Sequence, residues 1–351
     1  MKNRKDENMR SIVLIPSLRP KQKLIELVKQ IQEVGLKDIV IVDDGSGKDY
    51  AHIFSELEKL GCLVYTHEIN LGKGMALKNG MKFAMQNYED VQGFVTADSD
   101  FQHLPKDILR VAKAMQENPN KIVLGERNFN LKHVPFKSRW GNRFSALYFK
   151  LSTGVKIEDT QTGLRGIPVK YYDMAINTEG ERFEYEMNFL TKVAKEKIGF
   201  EKIYIETVYE ENNSGSHFKA LKDSMLIFQE FIKYASSSLL CAVIDVTVFT
   251  LIVNNLSLKE GLLVLSANIL ARIISGTFNF YFNRKIVFKA TEKANKQAIK
   301  YICLFITQMI ISSTLVAIAS NLPINITLLK VIIDTIIFLI NYIIQKRVIF
   351  K

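Results

Sequence analysis

The 351-residue chain reads as two unlike structures in series, a doubly wound α/β domain followed by an all-α bundle of four membrane helices. Three observations predict this. Up to about residue 200, short apolar runs alternate with helical patterns, the signature of strands joined by crossover helices. Beyond residue 233, four apolar stretches each reach the ~20 residues that cross a bilayer. Charge partitions with them: there are 34 basic and 32 acidic residues up to Glu230, then 13 basic and 4 acidic residues. An apolar content of 48% excludes a disordered chain. The net charge of +11 sits mostly among the apolar stretches, which points to a membrane rather than to nucleic acid.

In the first part, Ile12 to Ile15, Ile39 to Val42, Leu63 to Tyr65, Phe94 to Thr96 and Ile122 to Leu124 are continuous apolar runs. They are expected to be strands buried on both faces of a parallel sheet. Helices are expected between them at Lys21 to Val34, Tyr50 to Leu60, Lys73 to Gln86 and Pro105 to Glu117. The apolar stretch Ser11 to Pro16 is too short for the h-region of a signal peptide. A parallel sheet binds its ligand at the carboxyl ends of its strands. Acidic motifs fall there: the second strand runs into Val42-Asp-Asp-Gly-Ser46 and the fourth into Ala97-Asp-Ser-Asp-Phe-Gln-His103. Two carboxylates one residue apart can meet one hard divalent ion, which in turn can bridge a diphosphate. Asp also favours plain turns. Asn70-Leu-Gly-Lys-Gly74 adds a phosphate-friendly turn before a helix and a cation, without the Ser or Thr of a Walker loop. Taken together these motifs point to a nucleotide sugar.

The membrane helices are expected at Tyr234 to Leu256, Leu262 to Phe282, Tyr301 to Leu322 and Ile324 to Ile344. Basic residues cluster at Lys233, between Arg284 and Lys300, and at Lys346, Arg347 and Lys351, so by the positive-inside rule these edges and both termini face the cytoplasm. The segment Asn279-Phe-Tyr-Phe-Asn-Arg-Lys-Ile-Val-Phe-Lys289 recurs 62 positions later as Asn341-Tyr-Ile-Ile-Gln-Lys-Arg-Val-Ile-Phe-Lys351, implying two helix-pair repeats. Arg272 is expected to face the bundle interior and to pair with Asp334 or Asp245. The boundaries expected are residues 1–215 for the first domain, 216–232 for an amphipathic interfacial connection and 233–351 for the bundle. Cys62, Cys241 and Cys303 are isolated, which suggests neither a zinc site nor a disulfide framework.

The motifs Ile15-Pro16, Val42 to Ser46, Asn70 to Gly74, Asp98 to His103, Gly125-Glu-Arg127 and Asp159-Thr-Gln-Thr-Gly-Leu-Arg165 occur in the order seen in family-two glycosyltransferases. Over about residues 9 to 230 the chain resembles the dolichyl-phosphate mannose synthase and bactoprenol glucosyltransferase type, and the bundle resembles a GtrA-like domain. The resemblance implies a GT-A, Rossmann-like fold. It also implies transfer of a sugar from a UDP- or GDP-sugar to a polyprenyl phosphate lipid with inversion, for cell-envelope glycosylation. Asp43 and Asp44, with Pro16, would receive the nucleoside; Asp98, Asp100 and Gln102 would hold Mg²⁺ or Mn²⁺; Lys73 would offset charge on the diphosphate. Arg127, Arg139 and Arg143 would grip the acceptor phosphate, and Asp159 would orient the acceptor or assist catalysis; His217 and Lys219 are candidates to replace the phosphate-reaching residues that relatives carry late in the domain.

The pattern is departed from at Pro16-Ser-Leu-Arg-Pro20 and at Asn212 to Lys219, where relatives carry other residues. Glu184 and Glu186 resemble an acceptor-side acidic pair, although at (i, i+2) they do not share a helix face. Trp140, Phe144, Tyr148 and Phe149 are candidates for lipid contact, as is the amphipathic stretch Phe218 to Phe231. A processive synthase is disfavoured because Phe136 stands where the Gln of a Gln-x-x-Arg-Trp signature belongs. Two roles remain open for the bundle: flipping the glycolipid, with the first domain as feeder, or anchoring the enzyme and forming a homo-oligomer.

Overall fold

The computed structural model describes residues 10–129, 131, 134, 136–206, 229–255, 260–319 and 326–350. The chain divides into two compact units, residues 1–227 and 228–351.

The first unit is a seven-stranded sheet in the order β3-β2-β1-β4-β6-β5-β7. Its strands are β1 (Arg10–Ser17), β2 (Ile39–Asp43), β3 (Leu63–Thr66), β4 (Val91–Thr96), β5 (Lys121–Arg127), β6 (Arg165–Pro168) and β7 (Gly199–Ile205). Helices α1 (Lys23–Glu33), α2 (Ala51–Lys59), α3 (Lys73–Asn87), α4 (Pro105–Glu117), α5 (Phe136–Thr153), α6 (Tyr172–Ile176) and α7 (Glu184–Lys195) link them. The five strands and four helices expected from the apolar pattern are all present. Alternate side chains of one strand feed two cores: Val13 and Ile15 pack with Leu27, Ile41 and Val111, and Ile12 and Leu14 pack with Val40, Met81 and Phe189.

One expectation is corrected. The sheet is mixed, because β6 runs antiparallel between β4 and β5, with Phe94 opposite Ile167 and Leu124 opposite Arg165. A four-residue strand of Arg, Gly, Ile and Pro carries almost no strand signal of its own. Its direction has a consequence for the site. An antiparallel strand brings its beginning, not its end, to the carboxyl edge of its neighbours, so the loop Asp159–Leu164 arrives beside the ends of β4 and β5.

The second unit contains α8 (Gln229–Asn255), α9 (Glu260–Phe282), α10 (Ala294–Ala319) and α11 (Ile326–Ile344). Its surface is inverted relative to a water-soluble protein. Leu239, Val246, Ile273 and Ile318 are each more than half exposed, whereas Ser237, Asn283, Gln297 and Gln345 are buried. Only 11% of the apolar stretch Gln229–Ile252, of mean hydropathy 1.9, is buried. Asn283 donates to Asn279 Oδ1 (2.6 Å) and Gln345 Oε1 (3.1 Å) and accepts from the Ser237 hydroxyl (2.8 Å). The chain leaves α9 and α11 in the same way, through π-helical turns at Asn283–Val287 and Gln345–Ile349 closed by Phe288 N–H to Asn283 O and Phe350 N–H to Gln345 O. Of the two partners expected for Arg272, Asp245 is 3.6 Å away (Nε to Oδ2), but the arginine side chain is 60% exposed rather than turned inward.

Candidate active site

The carboxyl ends of β1, β2, β4 and β5 lie on one edge of the sheet, and each delivers polar groups there. Pro16 lies within β1 opposite Val42, and the buried Ser17 that follows has a hydroxyl without a hydrogen-bond partner among the described residues. Asp43, at the end of β2, accepts from the Ser46 N–H (2.8 Å), and the Ser46 hydroxyl accepts from the Arg19 N–H (2.7 Å), joining the loops that leave β1 and β2. Asp44 has a different environment. Its carboxylate accepts from the backbone N–H groups of Leu71 and Gly72, both at 2.9 Å, and contacts His67 Nδ1 at 2.7 Å. These bonds clamp the Asn70–Gly74 turn to β2, so Asp44 shapes the loop that carries Lys73.

That turn is packed against protein rather than left open as an anion cradle. A Cβ on Gly72, where φ is +99°, would lie 2.6 Å from Glu181 O, and the Met75 N–H donates to the same carbonyl. Lys73, the first residue of α3, sends its ammonium to Asp98 Oδ1 (2.7 Å) and Glu186 Oε1 (3.1 Å). Burial alone would lower the Lys73 pKa; the two carboxylates outweigh it and raise it. Burial likewise works against ionised Asp98, but Lys73, His103 and Arg127 hold that carboxyl well below its ordinary range.

Asp100 is the counterpart of Asp98 in electrostatic terms. Burial, and then the negative charge of Asp98, push it up from 3.8 to about 6. Its Oδ1 accepts from the Gln102 N–H at 3.1 Å, and Phe101 between them adopts a left-handed φ of +67°, a local strain that keeps the turn tight. His103 Nδ1 accepts from the Asp98 N–H (3.0 Å), so the proton of the neutral ring is on Nε2, which is buried, 3.9 Å from Asp98 Oδ2, and without a hydrogen-bond partner among the described residues. Burial pushes His103 down to about 4, keeping it neutral.

A divalent ion fits this end of β4 only in part through protein atoms. Among the described residues no three His, Cys, Asp or Glu side chains converge on one point. The two carboxylates are hard oxygen donors of the kind a divalent ion takes. The remaining coordination positions are those a diphosphate and water would take. Gly163 leaves room for this arrangement, since a Cβ there would sit 2.4 Å from Asp98 Oδ2.

Arg127 and Asp159 form the second cluster. Asp159 is fully buried and receives Arg127 Nε at 2.7 Å and Nη2 at 3.2 Å, with the N–H groups of Arg127 and Gln161 also directed to its carboxylate. Such a forked pair fixes the guanidinium plane. Arg127 opens onto a cleft of about 540 Å³ lined also by Arg143, Leu147, Lys150 and Lys156. Arg139 points elsewhere, donating to the Leu131 and Val134 carbonyls, so Arg127 and Arg143 are brought together and Arg139 is not. His217, Lys219 and the stretch from residue 218 to 228 lie outside the described residues.

Along α5, the side chains of Phe136, Trp140, Phe144, Leu147 and Leu151 form one exposed stripe, Phe136 being 71% and Trp140 58% exposed. Phe149, which the sequence placed with them, is instead fully buried in the core. The link between Arg165 and α7 was not foreseen. Arg165 donates to the Glu186 carbonyl (2.9 Å) and the Thr162 carbonyl (3.0 Å), tying the Asp159–Arg165 loop to the carboxylate that holds Lys73. Only the arginine at the end of that motif hinted at it.

Residues 12–176 match glycosyl transferase family 2, and residues 218–350 match the GtrA/DPMS transmembrane domain. The chain joins a family 2 glycosyltransferase domain to a GtrA/DPMS membrane domain. This glycosyltransferase is 28% identical over 221 residues to an uncharacterized protein of Methanocaldococcus jannaschii, covering 62% of this chain and 89% of that protein. It is 27% identical over 217 residues to the UDP-N-acetylglucosamine–dolichyl-phosphate N-acetylglucosaminyltransferase of Methanococcus voltae, covering 57% and 86%. Among solved structures it is similar to glucosyl-3-phosphoglycerate synthase from Mycobacterium tuberculosis in complex with Mn²⁺, UDP-glucose and phosphoglyceric acid, with a TM-score of 0.48, 14% identity, and 63% and 79% of the two chains covered.

Proposed function

We propose that this glycosyltransferase moves a sugar from a UDP- or GDP-sugar to a membrane polyprenyl phosphate at the cytoplasmic face, with inversion at the anomeric carbon. One observation carries the reading. The Lys73–Asp98–Asp100 group stands near a forked Arg127–Asp159 pair that opens onto a basic cleft, so one edge offers places for two phosphates, the donor's and the acceptor's.

Asp43 and the loops around Ser17 and Ser46 face the nucleoside. Asp98, Asp100 and Gln102 hold Mg²⁺ or Mn²⁺, which when bound stabilises the charge that develops on the departing diphosphate. Lys73 adds a further positive charge there. Arg127 and Arg143 grip the acceptor phosphate in the cleft. A phosphate monoester with a second pKa of about 6 is already largely ionised at neutral pH, so its oxygen attacks without a strong base. The new carbon–oxygen bond forms on the face opposite the bond to the nucleoside diphosphate as that bond breaks, which inverts the carbon. Asp159, with both oxygens turned to Arg127, acts by orienting that arginine.

The lipid acceptor is further supported by the exposed stripe of α5, an apolar face with basic residues beside it, as interfacial helices have. In the same reading residues 1–215 are the catalytic domain, 216–232 an interfacial connection and 233–351 a multi-pass bundle of two helix-pair repeats. The Asn283–Gln345 hydrogen bond and the Phe288–Phe350 stack, each joining residues 62 apart, support the repeat. A second reading, in which the bundle also moves the glycolipid across the bilayer, is favoured by its buried polar residues. It is tested by following that glycolipid in liposomes. For the main reading, purified full-length protein is incubated with polyprenyl phosphate, Mn²⁺ and a panel of UDP- and GDP-sugars. A glycolipid from one donor is expected; no product from any donor, or undiminished product from Asp100→Ala, overturns it.

A further inference from the structure

Lys73 stands where the metal reading needs an empty place. Its ammonium lies 2.7 Å from Asp98 Oδ1, so one of the two carboxylates that would hold a divalent ion already has a cation in contact with it. A divalent ion and an ammonium cannot both sit against the same carboxylate oxygen without strong repulsion. An ion that takes Asp98 Oδ1 therefore displaces the ammonium from it. A second anion is present for it: Glu186 Oε1 is 3.1 Å from the same nitrogen, and both side chains are largely buried.

Glu186 belongs to α7, not to the Asp98–Gln102 turn, so it does not move with the metal ligands. Two contacts from Arg165 hold it, and a third anchors Arg165. Arg165 Nη1 donates to its backbone carbonyl at 2.9 Å, Arg165 Nη2 is 4.0 Å from its Oε1, and the Arg165 side chain is itself anchored to the Thr162 carbonyl. The packing of the glycine turn against residues 181–185 fixes the start of α3 against the start of α7, which keeps Lys73 within reach of Glu186.

We propose that Lys73 is a placeholder cation exchanged for the divalent ion, and that Glu186 is the positioning residue that receives its ammonium when Asp98 turns to the metal. The inference rests on the metal-dependent reading above. Lys73 before exchange neutralises Asp98; after exchange it stays beside the diphosphate, held by Glu186, and adds its charge to the leaving group. Donor diphosphate favours the exchanged state, because it supplies oxygen ligands to the ion and an anion to the ammonium.

The test is Mn²⁺ binding without turnover, measured by electron paramagnetic resonance on the detergent-solubilised full chain, with and without UDP. Lys73→Met removes the competitor and is expected to tighten Mn²⁺ binding without UDP roughly tenfold, a shift typical of removing one partly buried charge contact. Glu186→Gln leaves Lys73 with Asp98 alone and is expected to weaken Mn²⁺ binding by a similar factor. In the double variant, Glu186→Gln is expected to have no further effect, since it acts only through Lys73. Circular dichroism melts on each variant identify any that fail to fold; Lys73→Arg, which keeps the charge, is expected to bind Mn²⁺ as the wild type does. Mn²⁺ binding that ignores Lys73, or a Glu186→Gln effect that persists in the Lys73→Met background, overturns the exchange. Failure of the wild type to bind Mn²⁺ even with UDP overturns the metal reading itself.

Discussion

Asp98 and Asp100 are one residue apart and have the same side chain, yet their surroundings push them in opposite directions. Asp98 keeps its charge because the Lys73 ammonium and the Arg127 guanidinium outweigh its burial, while Asp100 is driven up to about 6. A carboxyl whose folded pKa lies above its ordinary 3.8 binds more protons folded than unfolded between those two values. Stability therefore falls as pH rises through that window and stays lowered above it. Asp100→Asn is expected to melt at the same temperature or higher than the wild type at pH 7.5 without metal, while losing at least a hundredfold in kcat. A clear drop in melting temperature would show that Asp100 is held by a favourable partner instead. The wild-type rate is expected to fall on the acid side near pH 6, with the fall moving to lower pH as Mn²⁺ is raised, because proton and metal compete for one carboxylate.

At the scale of elements, the short antiparallel β6 decides which loop completes the site. Its leading loop lies so close to Asp98 that a Cβ at position 163 would meet the carboxylate. Gly163→Ala is expected to push the Asp98 carboxylate aside and weaken Mn²⁺ binding by roughly tenfold to a hundredfold, since displacements near 1 Å have effects of that order. Calorimetric titration with UDP present measures it, and wild-type affinity would mean that the loop shifts freely. For α5, the exposed stripe predicts a separate effect. Replacing Phe136, Trp140 and Phe144 together by Ser is expected to raise the KM for polyprenyl phosphate in vesicles roughly threefold to tenfold, with kcat at saturation little changed. An unchanged KM would assign these side chains to some other contact. The strands, the four helices between them and the two Asp motifs were legible because their signal is local: continuous apolar runs and short motifs at their ends. β6, β7 and the Arg165–Glu186 link were not, because their stabilisation comes from neighbours distant in sequence. Asp44 illustrates the same limit. Its position after β2 was legible, but its bonds to Leu71, Gly72 and His67 depend on a loop more than twenty residues away.

For the whole molecule, orientation is the property from which the rest follows, because the donor must be on the side where the catalytic domain lies. The ten basic residues on three edges of the membrane domain, out of 13 beyond Glu230, predict a cytoplasmic placement of those edges. With Cys62, Cys241 and Cys303 replaced by Ser, Lys289→Cys is expected to react with an impermeant maleimide only after cells are opened. Ser257→Cys and Asn325→Cys are expected to react in intact cells, and the reverse pattern would invert the topology. By itself the sequence determined the division into an α/β enzyme domain and a membrane domain, the family of each, and the residues that carry charge at the strand ends. The division follows from composition and from periodicities within a few residues, and the families from short motifs in a characteristic order. Only the tertiary structure decided which of those charges meet. Lys73 pairs with Asp98 and Glu186, Arg127 pairs with Asp159, and Arg139 turns away from the cleft, because such contacts depend on how strands are ordered and directed across the sheet.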